Sequence, residues 1–327
     1  MPILDMPLEA LYKYEGRNPK PADFDAYWEK GLKEVAVTPL KMQTAKAQKI
    51  EPRNAECYDL YFNSVKNSRI HCWYTRPSAV KRGEKLPVLL IFHGYSGHAG
   101  PFVDKLAWTG QGYIVLAMDC RGQGGHSEDR NPVAGRTHGG LIMRGFDDPD
   151  PSNMYFRNVF LDTVQLVKAA KSLPNADPDR IYARGGSQGG ALTVACAALN
   201  GGDIKKASAQ HPFLSDYKRV WEMDLARDAY HDVREHLRFY YPTYEKQAAF
   251  WEKIGYIDIQ HLAPRITAEI YWATGLMDNI CPPSSQFAAY NKIASKKHMD
   301  IFPDFGHEGL PDVADKEATF FNVGFDR

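Results

Sequence analysis

Arg180-Ile181-Tyr182-Ala183-Arg184-Gly185-Gly186-Ser187-Gln188-Gly189 opens as a short apolar run and closes as a G-x-S-x-G motif, and Ala191 to Leu199 continues it with helix-forming residues. The order is strand, sharp turn, helix, with a serine at the turn. A turn that abrupt holds the serine in a strained backbone conformation, so its neighbours must lack bulk. Gly185 and Gly189 supply that space. The helix start just after Ser187 offers free N–H groups and partial positive charge where a tetrahedral intermediate would carry its oxyanion, and Gln188 should donate the first of these.

Outward from this stretch, four more short apolar runs read as buried parallel strands: Val88 to Phe92, Tyr113 to Met118, Ile270 to Ala273 and Met299 to Phe302. Helical spacing appears between them, as in Phe160 to Ser172, where Leu161, Val164, Val167 and Ala170 form one face and Asp162, Gln165 and Lys168 read as polar positions. Asn175 to Arg180 reads as a turn from that helix into the serine strand. Alternation of this kind gives an α/β chain with a mostly parallel sheet and helices on both faces. With the serine elbow, it is the α/β-hydrolase fold.

A serine hydroxyl needs a base, and in this fold the chain order is serine, acid, histidine. Asp278 follows the run Ile270 to Ala273, and His307 lies in the glycine-flanked loop after Met299 to Phe302. Both loops leave strand ends on one edge of the sheet. Of eleven histidines, His93 and His98 precede the serine and His298 starts a strand, and only His307 sits in a glycine-flanked loop after the last strand, which makes it the base. Asp304 and Asp258 are rival acids that read as solvated loop carboxylates. The second oxyanion donor should come from the loop after Val88 to Phe92, at the Tyr95 backbone.

The 327 residues suit one catalytic domain with additions: an N-terminal extension over 1–55 holding a helix at Pro21 to Val35, and a helical insertion over 213–262. That insertion carries Trp221, Tyr230, Phe239, Tyr240, Tyr241, Phe250 and Trp251, which should cover the site as a lid or meet a neighbouring subunit. Forty basic residues balance forty acidic ones, which argues against nucleic acid or an anionic membrane as partner. Five scattered cysteines form no C-x-x-C pair and read as reduced thiols. The N-terminus lacks a signal peptide's basic start and apolar run, so a cytoplasmic location is expected.

Arg121-Gly122-Gln123, the Gly185 to Gly189 elbow and His307-Glu308 occur in the order that marks carbohydrate esterase family seven, and the chain resembles that family nearly end to end. The family comprises the acetyl xylan esterases and cephalosporin C deacetylases. Pro21 to Asp25, Tyr155 to Phe160 and Gly275-Leu276-Met277-Asp278 with Cys281-Pro282-Pro283 look like it too. Two departures are Ala191, where a glycine is frequent, and Ser215-Asp216, where members often differ. The resemblance implies deacetylation of small acetylated carbohydrates such as xylo-oligosaccharides, without metal or other cofactor, in a homohexamer built as a trimer of dimers. Arg121 and Gln123 then read as scaffold beside the site. A prolyl oligopeptidase-type serine peptidase shares the elbow and triad order, but usually carries a large extra N-terminal domain. A non-catalytic binding protein of this fold should have lost a triad member.

Overall fold

A computed structural model describes residues 4–136 and 139–324. Nine strands form one sheet: β1 (Gln43–Lys46), β2 (Ala55–Asn63), β3 (Arg69–Pro77), β4 (Leu86–Phe92), β5 (Ile114–Met118), β6 (Ala176–Gly186), β7 (Ile204–Gln210), β8 (Glu269–Gly275) and β9 (Lys297–Phe302). Their order is β1-β2-β3-β5-β4-β6-β7-β8-β9. The first three strands and the β3–β5 pair are antiparallel, and every pair from β5 to β9 is parallel. The α/β-hydrolase architecture expected from the elbow is therefore present.

Four of the five expected strands lie inside β4, β6, β8 and β9, the fifth overruns β5 by Tyr113 alone, and four other strands escaped the reading. β7 reads Ile204-Lys205-Lys206-Ala207-Ser208-Ala209-Gln210, with small residues where a buried strand normally carries branched ones. Its Ala207, Ser208 and Ala209 are nonetheless fully buried. β2 and β3 mix polar and aromatic residues because they pair as long antiparallel arms. Asn175 to Arg180 is not simply a turn: only Asn175 takes a left-handed φ of 65°, and β6 begins at Ala176. The irregularity appears instead as a register shift against β4 between Leu86 and Val88.

On the helix Tyr155–Ser172 two of the three polar positions turn inward. Asp162 and Gln165 are fully buried. The helix is covered on its outer side by the helix Phe24–Val37, where Trp28 stacks on Phe160 at 6.0 Å and Arg157 pairs with Glu34 at 3.0 Å. Gln165 Nε2 donates to the carbonyls of Thr38 and Asn63, and Lys168 Nζ to that of Val35. A polar stripe can face inward when backbone carbonyls of another segment wait there.

The N-terminal extension over 1–55 contributes to the sheet, where β1 forms one edge. Asp216, one of the two departures, holds the N-terminal segment onto the insertion: its carboxylate accepts from Tyr14 Oη at 2.8 Å, Arg17 N at 2.9 Å and Asn18 N at 2.8 Å. Within the insertion, Tyr230, Phe250 and Trp251 are buried in the chain's own core, and Trp221, Tyr240 and Tyr241 are partly covered. Phe239, 59% exposed, is the one aromatic of the seven left in solvent. Most of that aromatic surface thus needs neither a lid role nor a neighbour to leave water.

Candidate active site

The elbow has the expected steric form. Ser187 sits at φ 56°, ψ −121°, between β6 and the helix Gln188–Leu199. A Cβ on Gly185 would lie 2.5 Å from the Gly189 carbonyl, and one on Gly189 would lie 2.2 Å from the Phe92 carbonyl. Any side chain at either position would push strand, helix and β4 apart. Ser187 N–H donates to Gln210 O and its carbonyl accepts from Phe213 N–H, both at 3.0 Å, so β7 and the loop after it clamp the strained residue.

Asp278 and His307 arrive from the loops after β8 and β9, which are laced together. Leu276 N–H donates to Phe302 O and Met277 N–H to Phe305 O. Gly275 permits this close passage, since a Cβ there would lie 2.2 Å from the Phe305 carbonyl. His307 Nδ1 lies 2.8 Å from Asp278 Oδ2, and His307 Nε2 lies 3.0 Å from Ser187 Oγ. An ionised carboxylate only accepts, so the proton belongs on Nδ1, and Nε2 presents its lone pair to the serine. Ile280 and Cys281 N–H groups donate to Asp278 Oδ1 at 2.9 and 2.8 Å, which fixes the buried carboxylate.

The rival acids are elsewhere. Asp304 is exposed on the loop before His307. Asp258, far from being solvated, is fully buried within the insertion, where it accepts from Asp216 N–H and from Gln260. Burial, then the charge of Asp216, pushes its carboxyl up to about 7.

Gln188 opens its helix, where first-turn N–H groups have no intrahelical acceptor. Tyr95 lies in the loop after β4, its ring packed on Phe213 at 5.3 Å and its hydroxyl accepting from Leu141 N–H. Gln123 exchanges amide hydrogen bonds with the Gln188 side chain at 2.8 and 3.1 Å and donates to Tyr155 Oη at 3.0 Å. Arg121 is fully buried, with Nε 2.7 Å from Asp162 Oδ2 and a second bond from its Nη2 to Oδ1. Its carbonyl accepts from Tyr155 Oη at 2.6 Å. Gln123 thus holds the Gln188 side chain at the start of the elbow helix, while Arg121 ties its own loop to Asp162 on the helix Tyr155–Ser172.

Two neighbours of the triad were not among the site residues expected from the sequence. Cys281, one of five buried free thiols, interacts with the Ser187 hydroxyl. Burial, then the Asp278 charge, pushes its thiol well above the ordinary range, so it stays protonated and is a poor nucleophile. His211, just beyond β7, packs its ring 4.5 Å from that of His307. One ligand atom each from His211, Asp278 and His307 lie within 4.8 Å of one another, the composition of a two-histidine, one-carboxylate cation site. Asp278 and His307 already spend their facing atoms on each other, so a cation there would have to break the pair.

The profile of the acetyl xylan esterase (AXE1) family matches residues 1–324. The acetyl esterase Axe7A of Xylanibacter ruminicola is 29% identical over 323 residues, covering 92% of this chain and 70% of that protein. Acetyl xylan esterase 1 from Thermoanaerobacterium sp. JW/SL YS485 superposes with a TM-score of 0.93 at 45% identity, over 97% of this chain and 98% of that one. The acetyl xylan esterase from Paenibacillus sp. R4 gives 0.92 at 33%, over 98% and 100%. The acylaminoacyl peptidase of Pyrococcus horikoshii is 18% identical with a TM-score of 0.54, a likeness of fold alone, and this chain covers 38% of it.

Proposed function

We infer that this chain, which belongs to the acetyl xylan esterase family, is a serine carboxylic ester hydrolase that removes acetyl groups from small acetylated carbohydrates, xylo-oligosaccharides foremost. Cephalosporin C, another small acetyl ester, is a further substrate on this reading. The observation that carries it is the unbroken run from Ser187 Oγ through His307 to Asp278, at 3.0 and 2.8 Å, on a strained elbow in a chain of this family. Ser187 attacks the acetyl carbonyl as His307 takes its proton, Asp278 holds the imidazole, and the Gln188 and Tyr95 N–H groups receive the oxyanion. His307 then protonates the departing alcohol and activates the water that frees acetate.

Acetate release from acetylated xylo-oligosaccharides tests this directly, and a series of nitrophenyl esters tests the acyl side. Acetyl esters should exceed hexanoyl esters by roughly tenfold or more, since overfilling a rigid site costs about 1–3 kcal/mol. Equal turnover across the series would contradict an acetyl-specific site.

We also propose a closed homo-oligomer, a hexamer assembled as a trimer of dimers. Support from the chain itself is the exposed Phe239 and Tyr244, 59% and 84% accessible on the insertion, which a second copy would cover. A light-scattering mass at micromolar concentration should exceed that of the monomer several-fold, and a stable monomer would remove this part of the reading.

A further inference from the structure

His211 follows β7 directly and adopts a positive φ of 29°. Its N–H donates to Ala273 O at 2.8 Å, and Phe213 N–H, two residues on, donates to the Ser187 carbonyl. The backbone is thus pinned on both sides of the imidazole, which packs against His307 with the planes tilted by 53°. The residue is 8% exposed, yet among the described residues neither ring nitrogen has a hydrogen-bond partner. Nδ1 is the one that is wholly buried. Nε2 lies toward the elbow, 3.5 Å from where a Cβ on Gly186 would stand.

An orphaned buried N–H is rarer and costlier than an under-used buried acceptor, so the proton of the neutral ring belongs on Nε2. The ring is neutral in turnover. Burial, and secondarily the charge that His307 acquires, lower its pKa to about 4. Nε2–H is therefore a donor beside the triad with no acceptor among the described residues. Its side of the site follows from the chemistry. His307 must hand its proton to the leaving oxygen, so the alcohol lies over that imidazole, whereas the oxyanion groups at Gln188 and Tyr95 gather the acetyl carbonyl. His211 packs on that same imidazole, the side from which the proton leaves.

We propose that His211 donates its Nε2–H to a hydroxyl of the leaving alcohol next to the scissile ester, which makes the site selective for acetyl esters of polyhydroxy alcohols over acetyl esters in general. The proposal rests on the deacetylase reading and adds to it the contact that recognises the sugar. A nitrophenyl leaving group has no such hydroxyl. Sugar selectivity therefore separates from esterase competence.

The test compares kcat/KM on a mono-acetylated methyl xyloside with kcat/KM on 4-nitrophenyl acetate, and reads their ratio. His211→Phe keeps a ring and removes the donor, while His211→Asn keeps a donor on a shorter stem and guards against a packing failure of the larger ring. The ratio should fall roughly tenfold or more in His211→Phe, as expected when a site loses its partner for a substrate hydroxyl, and recover in part in His211→Asn. A ratio within about twofold of wild type, whether both rates fall together or neither falls, would overturn the assignment and leave His211 as packing. Wild-type turnover of nitrophenyl acetate with an unchanged variant ratio sinks only the His211 contact. Wild-type inactivity on both esters sinks the esterase reading, and this contact with it.

Discussion

Ser187→Ala is expected to lower kcat/KM for acetyl esters by roughly a thousandfold or more, with the fold unchanged. The size follows from the site. Ser187 Oγ is the nucleophile next to His307 Nε2, whereas Ser96, the nearest alternative along the oxyanion loop, is exposed and has no histidine bonded to its hydroxyl among the described residues. What remains in the variant is the oxyanion site and substrate positioning, worth about 10³–10⁴-fold over attack by free water but far short of the full triad. The fold is spared because the clamps on Ser187 are backbone bonds to Gln210 and Phe213, which alanine keeps. Alanine does bear the strain of φ 56° just as serine does, so the thermal midpoint should match wild type. Activity above a few per cent, after controls for contaminating esterase, would mean that another group is the nucleophile.

Arg121→Met is the second large effect, and it concerns stability. Arg121 and Asp162 are both fully buried and share a bidentate pair. Removing one partner strands the other charge in a low-dielectric interior, which costs about 3–5 kcal/mol. The stranded carboxyl can escape by binding a proton, because burial already pushes Asp162 upward and Arg121 is the group that opposes this. In the variant the folded state would then hold a proton that the unfolded chain releases near its ordinary value of 3.8. A folded pKa above the unfolded one means that stability is greatest at low pH and declines as pH rises. Urea unfolding should therefore show a loss that grows from pH 5 to pH 8. Arg121→Met with Asp162→Leu removes both charges and should regain much of it. A single variant within about 1 kcal/mol of wild type at pH 8 would show that the pair does not brace the loop as described.

What the sequence settled by itself was whatever short-range pattern encodes. The elbow required Gly185 and Gly189 on each side of Ser187, and five strands announced themselves as branched apolar runs between turns. From these came the sheet, the chain order of serine, acid and histidine, and the choice of Asp278 and His307, which the folded chain brings together at hydrogen-bond distance. Motifs at Arg121, Gln123 and His307 carried the family. All of this is local, because a tight turn or a buried run constrains its own residues whatever surrounds them.

Only the tertiary structure decided the fate of inward-facing polar groups, since a polar side chain is buried or solvated according to whether a partner from elsewhere in the chain satisfies it. Asp162 read only as a polar helix position, and what buries it is Arg121, 41 residues earlier, which meets it in the core. Asp216 binds backbone N–H groups nearly 200 residues away, and Asp258 follows it into the interior. β7 was invisible because a strand flanked on both sides by other strands is held by its neighbours' hydrogen bonds, and so needs no branched residues of its own. His211 belongs with these. Nothing in its own stretch of sequence distinguishes it, and its place beside His307 exists only because β7 and β9 end on the same edge of one sheet, one strand apart.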